Sequence, residues 1–295
     1  MAVMHRLSRR NVLAGGLTLT AMAALSTPLA RAEAAPAAER LAELERRHNA
    51  MVGLYAVDLQ TGRTLVHREN ERFAVCSTFK AYLAARTLQA AGRGEFAMTD
   101  TVTVRAEDLL PNSPVTETRV GQTITLAELC AAVLQVSDNA GANYLLHQIG
   151  GPPAITEFAR SIGDQETRLD RWETELNSAV PGDPRDTSTP TALGNGFRAL
   201  ITGDALEPQA RTQLVDWMLA NTTSSLRPGL PADWTFADKT GSGDYGTTND
   251  IGVAFGPDGR AVVLSVMLRS ASDDPDTEGF RPVMPEIATL VLQNL

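Results

Sequence analysis

The stretch WTFADKTGSGDYGTTNDIGVAFGPDGRAVVLSVML, residues 234–268, decides the architecture. It reads as three strands, 234–239, 249–255 and 261–268, dense in β-branched and aliphatic residues. Pro257-Asp258-Gly259 is the turn signal that folds the second strand back on the third. Towards the N-terminus, Met51 to Val57 repeats the strand pattern, and a turn at Thr61-Gly62 leads into a second short strand. Ala38 to His48, before it, reads as a charged amphipathic helix, and a terminal helix is expected over roughly 281–292.

Between these ends lie helical patterns. Ser77 to Ala91 is one, stopped by Gly92; Thr125-Leu126-Ala127-Glu128 is a capping box opening another; Thr189-Pro190 offers an N-cap followed by proline at the first helical position. Residues 163–189 hold few apolar side chains and many turn formers, and a loop that long in a compact domain usually serves a function. The expected class is α+β. Both chain ends build a five-stranded antiparallel sheet flanked by helices, with an all-helical domain inserted. Residues 33–76 with 221–295 form the α/β part, and 77–220 the helical part.

The bulk properties suit a soluble globular protein of one or two domains: 295 residues, 43% hydrophobic and 21% charged. Residues 1–32 read as an export signal. Ser8-Arg9-Arg10-Asn11-Val12-Leu13 carries a twin-arginine pair, an apolar stretch follows to Leu25, and Ala30-Arg31-Ala32 supplies small residues for cleavage before Glu33. That stretch is too short for a permanent membrane span. The first 32 residues hold four arginines and no acid, which takes the formal charge from −9 for the chain to −13 for the remainder. Nucleic acid is therefore excluded as a partner. A secreted or periplasmic monomer is expected. Export of a folded chain implies folding in a reducing compartment, so Cys76 and Cys130 read as free thiols.

Only two lysines occur, against twenty-four arginines, and each sits in a short motif: Ser77-Thr78-Phe79-Lys80 and Lys239-Thr240-Gly241. Arginine supplies fixed positive charge, whereas a buried lysine can lose its proton and act as a base. At the i, i+3 spacing of Ser77 and Lys80 both side chains share one helix face, so Lys80 can activate the Ser77 hydroxyl. Average composition yields roughly one S-x-x-K by chance in a chain this long, but only about 0.05–0.1 occurrences each of Ser137-Asp138-Asn139 and Lys239-Thr240-Gly241. The four histidines, His5, His48, His67 and His147, are scattered without zinc-ligand or Ser-His-Asp spacing, so neither a metal nor another cofactor is implied.

With all three motifs in this order, the chain resembles the class A serine β-lactamases over about residues 40–295. The resemblance extends to Arg171-Trp172-Glu173-Thr174-Glu175-Leu176-Asn177, which is similar to the family's Ω-loop and accounts for the long loop. It implies a small-molecule β-lactam substrate, penicillins and also cephalosporins given Ser242 and Gly243. Ser77 would be acylated, with Lys80 as its base. Ser137 would pass a proton to the departing lactam nitrogen. Glu173, with Asn177, would activate the water that releases the acyl group.

Asn139 would bind the substrate's acylamide, while Asp138 would hold the neighbouring loop. Lys239, Thr240, Gly241 and Ser242 would line the substrate-binding strand, three of them reaching the substrate carboxylate with Arg281. The backbone N–H groups of Ser77 and Ser242 would form an oxyanion hole, where one donor is worth about 3–4 kcal/mol in the transition state. Arg171 and Asp186 would pair across the neck of the Ω-loop.

Several positions depart from the family pattern. Thr174 replaces a frequent proline at a bond often cis in the family, Asn112 replaces an aromatic gatekeeper, and Thr248 stands where other members carry an arginine, which raises the need for Arg281. Cys76 and Cys130 match single halves of family disulfides whose partner positions hold Gly243 and Ala84, so neither is expected to form a bridge. A penicillin-binding D,D-peptidase shares the serine and lysine chemistry but has no counterpart of Glu173 and Asn177. A β-lactam sensor, which acylates once, would be tethered to a signalling segment that the sequence does not carry.

Overall fold

A computed structural model describes residues 36–295; the expected export signal, residues 1–32, lies outside them. Among the described residues nine strands form: β1 (Ala50–Asp58), β2 (Thr64–His67), β3 (Phe73–Ala74), β4 (Thr101–Thr103), β5 (Thr123–Thr125), β6 (Thr187–Ser188), β7 (Thr235–Ser242), β8 (Thr248–Phe255) and β9 (Ala261–Ser270). The main sheet has the order β2-β1-β9-β8-β7, antiparallel throughout, as expected. β9 lies centrally because it pairs with β1 along Ala50↔Ser270 to Asp58↔Val262 and with β8 along Thr248↔Leu268 to Phe255↔Ala261.

Strand alternation gives the sheet two apolar faces. Leu54, Phe236, Ala254, Leu264 and Val266 pack on one face against helices α1 (Ala37–His48) and, at the other end of the chain, Met284–Asn294. Val57, Ala237, Ile251, Val253 and Val263 face a second core built with the intervening helices. Those are α2 (Lys80–Gly92), α3 (Leu126–Gln135), α4 (Asn139–Ile149), α5 (Pro152–Ser161), α6 (Pro190–Ile201) and α7 (Pro208–Leu219), so the C-terminal helix is α8.

α2 is buried on nearly every side, from Lys80 to Ala90, because its small alanines admit close neighbours. Gly196 shows how close: a Cβ there would fall 1.7 Å from the Tyr82 hydroxyl, which passes it to reach Asp164 at 2.7 Å. The Thr125–Glu128 capping box forms, and Thr189 caps α6 with Pro190 at its first position.

The structure corrects three details. The helix expected from Ser77 opens with a 3-10 turn, Cys76–Phe79, and becomes α-helical only at Lys80. The strand of the Lys239 motif runs on past Lys239 to Ser242, because β8 offers partners as far as Thr248. The middle also contains two short ribbons, β3 with β6 and β4 with β5, too brief to produce an alternating sequence pattern.

Candidate active site

Three elements bring the motifs together. The 3-10 turn carries Ser77, the loop before α4 carries Ser137, and β7 carries Lys239. The turn is held by Val75, whose carbonyl accepts from the Thr78 hydroxyl at 2.7 Å and from Asn249 Nδ2 at 3.2 Å. Asn249 Nδ2 also donates to the Ala74 carbonyl at 2.8 Å, tying β8 to the same turn. The glycine of Lys239-Thr240-Gly241 has a steric reason: a Cβ on Gly241 would stand 2.8 Å from the Val75 carbonyl oxygen.

Lys80, wholly buried, is the hub. Its Nζ donates to Asn139 Oδ1 at 2.6 Å, to the Ser137 carbonyl at 2.9 Å and to Ser77 Oγ at 3.0 Å, and lies 2.9 Å from Glu173 Oε1. The Ser77 hydroxyl in turn donates to Glu173 Oε1 at 3.1 Å. Burial pushes the Lys80 ammonium down from its ordinary range, against the opposing pull of Glu173. Ser137 Oγ lies between the two lysines, 3.3 Å from Lys80 Nζ and 3.1 Å from Lys239 Nζ. Lys239 is itself buried and pushed down to about 7, by burial first and then by the charge of Lys80.

Asn177 donates to Glu173 Oε2 at 2.6 Å, while its Oδ1 is buried without a donor among the described residues. The Glu173–Thr174 peptide bond is cis. Arg171 Nε meets Asp186 Oδ2 at 2.5 Å, and the other Asp186 oxygen accepts from the amides of Asp170 and Arg171 at 2.6 and 3.0 Å. Asp138 is fully engaged in structure. It takes the amides of Val115, Thr116 and Gly141, so it caps α4 and fixes the loop before it.

Asn139 has both ends occupied, since its Nδ2 donates to the Pro111 carbonyl at 2.8 Å. Arg281 lies in a short 3-10 turn before α8, not on that helix, and its Nη2 donates to the carbonyls of Thr223 and Ser224 at 2.7 and 3.2 Å. Thr223 Oγ1 is 2.6 Å from Thr240 Oγ1, so the guanidinium stands one residue from the strand edge. Thr248 turns inward, its hydroxyl accepting from the Phe280 amide at 2.8 Å. Ser242 is exposed at the end of β7. Cys76 and Cys130 are free and buried, which raises both thiols, Cys130 to about 12.

Sequence reasoning missed Asn143, Asn249 and Thr223. Asn143 stands four residues after Asn139 on α4, so helical spacing places it on the same face. Asn249-Asp250 was visible as a polar pair in a strand otherwise apolar from Ile251 to Phe255. Thr223 carries no local signal.

A model of the Beta-lactamase enzyme family matches residues 36–295. A β-lactamase of Streptomyces lavendulae is 47% identical over 264 residues, covering 87% of this chain and 85% of its own. Beta-lactamase AST-1 of Nocardia asteroides is 43% identical across 99% of this chain and 97% of its own. An ancestral class A β-lactamase structure superposes with a TM-score of 0.84 at 49% identity, covering 88% of this chain and all of that one. Motifs, sheet order, site geometry and relatives agree: the chain belongs to the class A β-lactamase family.

Proposed function

We propose that the protein hydrolyses β-lactam antibiotics, penicillins and cephalosporins, through an ester on Ser77, and so confers resistance to them. The observation that carries this reading is the buried triangle of Ser77, Lys80 and Glu173, with Asn177 Oδ1 open beside it. The Ser77 proton has two routes. It passes directly to Glu173, or to Lys80 after Lys80 has given a proton to Glu173, an exchange that burial favours because it removes two charges from a dry site.

Ser77 Oγ then attacks the lactam carbonyl, whose oxygen is received by the backbone N–H groups of Ser77 and Ser242. The C–N bond breaks, and the nitrogen takes a proton from Ser137, resupplied by Lys80 or Lys239. Lys239, Thr240, Ser242 and Arg281 hold the substrate carboxylate, and Asn139 the acylamide. In the second half, Glu173 first returns its proton through Lys80 to the lysine that resupplied Ser137; a water held by Glu173 and Asn177 Oδ1 then loses a proton to the freed carboxylate and attacks the ester. The Ser77 oxygen leaves and recovers a proton.

Residues 33–76 and 221–295 work as one part and 77–220 as another, with the site along their seam. The protein acts as a secreted or periplasmic monomer, exported by the twin-arginine route and cleaved after Ala32; among the described residues no helix is long and apolar enough to cross a membrane.

Benzylpenicillin hydrolysis by the purified protein tests the reading. Many turnovers per molecule are expected, and Glu173→Gln should accumulate protein heavier by one penicillin. One equivalent consumed by the parent protein would mean a penicillin-binding protein or sensor instead.

A further inference from the structure

Asp238 and Asp250 are wholly buried. Since Thr240 pairs with Asp250 and Asp238 with Gly252, both carboxylates share one face of the sheet, opposite to Lys239. Asp238 accepts from Asn221 Nδ2 at 2.6 Å and from Arg227 Nη2 at 3.2 Å. Asp250 Oδ2 accepts from the amides of Ser225 and Leu226 at 2.7 and 2.9 Å and from the Ser225 hydroxyl at 3.0 Å. Its Oδ1 is buried with no donor among the described residues, although Asp238 is within hydrogen-bonding reach.

Among the described residues the two carboxylates face one contacting cation, Arg227; Lys239 projects from the other face of the strand. A second buried anion would be uncompensated, and a buried acceptor would be empty. One proton between the carboxylates removes both faults.

The pair also has a mechanical position. It grips the segment Asn221–Arg227 from beneath, and that segment supplies Thr223 to Thr240 and the two carbonyls that hold Arg281. We propose that Asp238 and Asp250 share one proton, Asp238 donating to Asp250 Oδ1, and that this pair positions the anion-binding end of the site. The inference rests on the reading that Lys239, Thr240 and Arg281 receive the substrate carboxylate.

Two measurements separate its parts. Infrared difference spectra of the parent protein against Asp238→Asn and against Asp250→Asn at neutral pH should each contain one protonated-carboxyl C=O band; its absence overturns the shared proton. In steady-state kinetics, Asp238→Ala and Asp250→Ala should raise the benzylpenicillin KM about tenfold with kcat within about threefold. Asp238→Asn, whose amide can donate to Asp250 Oδ1, should restore most of the affinity. With the methyl ester of the same penicillin, which lacks the anion, the alanine variants should match the parent. A fall in kcat at unchanged KM, or equal losses with the ester, overturns the positioning role. Should the alanine variants not fold, the Asp238→Asn/Asp250→Asn double variant, which leaves Arg227 uncompensated, should show the same rise in KM, and a parental KM would overturn the role. A parent protein that hydrolyses no penicillin would sink the functional reading instead, and the infrared band would still decide the proton.

Discussion

Asn143 brackets Glu173 by its backbone: Asn143 Nδ2 donates to the Glu173 carbonyl at 2.9 Å, and Asn143 Oδ1 accepts from the Glu173 amide at 3.1 Å. One side chain on α4 thus fixes the peptide units on either side of the proposed water-activating carboxylate. Its two bonds satisfy polar groups that the loop itself leaves unpaired.

Asn143→Ala should therefore slow deacylation more than acylation. Loss of the two bonds costs about 1–3 kcal/mol of local order, which as a loss of positioning corresponds to roughly tenfold or more in kcat. Mass spectrometry during turnover of benzylpenicillin should find the acyl-enzyme raised above the parent level. An unchanged acyl-enzyme fraction would show that the carboxylate is held by other contacts.

The neck of the Ω-loop gives a second prediction. Asp186 is buried and paired with Arg171, and it also takes two backbone amides, so its removal strands a guanidinium and two donors. Asp186→Asn keeps the shape and deletes the charge. Breaking one partner of such a pair costs about 3–5 kcal/mol. We expect a lower Tm, faster amide exchange over residues 170–186, and slower penicillin turnover. Parental exchange rates in that segment would count against the pair as the loop's clasp.

Much of this site was legible because its chemistry needs rare residues in fixed spacings. Lys80 and Lys239 stood out against twenty-four arginines, and the structure puts both within 3.3 Å of Ser137 Oγ. The sheet was legible for a different reason: β1, β8 and β9 are buried on both faces, so they read as near-continuous apolar runs. What stayed hidden depends on contacts between distant segments. Asn143 and Asn249 act through backbone groups 30 and 174 positions away and Thr223 through the Thr240 hydroxyl 17 positions away, and no local pattern encodes such pairings. The short ribbons were missed because two or three residues cannot display a period.

Gly243 supplies a third prediction. A Cβ there would lie 2.5 Å from the Asn177 carbonyl oxygen and 2.8 Å from Cys76 Sγ, and neither neighbour is the free end of a flexible chain. Gly243→Ala must displace the Ω-loop from the end of β7. Overpacking of this kind costs about 1–3 kcal/mol. Because the displaced carbonyl belongs to Asn177, penicillin kcat should fall while the gap widens for bulkier cephalosporins, so the ratio of cephalosporin to penicillin kcat/KM should rise. A parental Tm with a parental ratio would mean the loop absorbs the methyl group without moving.

The last prediction concerns Lys239, whose ammonium is held to about 7 by burial and by Lys80. Two consequences of that depression run in opposite directions. For folding, the unfolded chain binds a proton that the folded chain has lost at every pH between about 7 and the ordinary lysine range, so this residue's contribution to stability rises with pH across that window. For binding, the proposed role of Lys239 in receiving the substrate carboxylate requires the ammonium, so kcat/KM should fall as pH rises through about 7, reporting the free enzyme. Once bound, the carboxylate restores charge to Lys239, and the alkaline limb of kcat should lie at higher pH than that of kcat/KM. The methyl ester of the penicillin, with no anion to receive, should lack this separation. A kcat/KM for benzylpenicillin that stays level to pH 9 would show that Lys239 keeps its proton in the free enzyme, held there by the single charge of the Asp238–Asp250 pair and by Glu173, which pull against the burial.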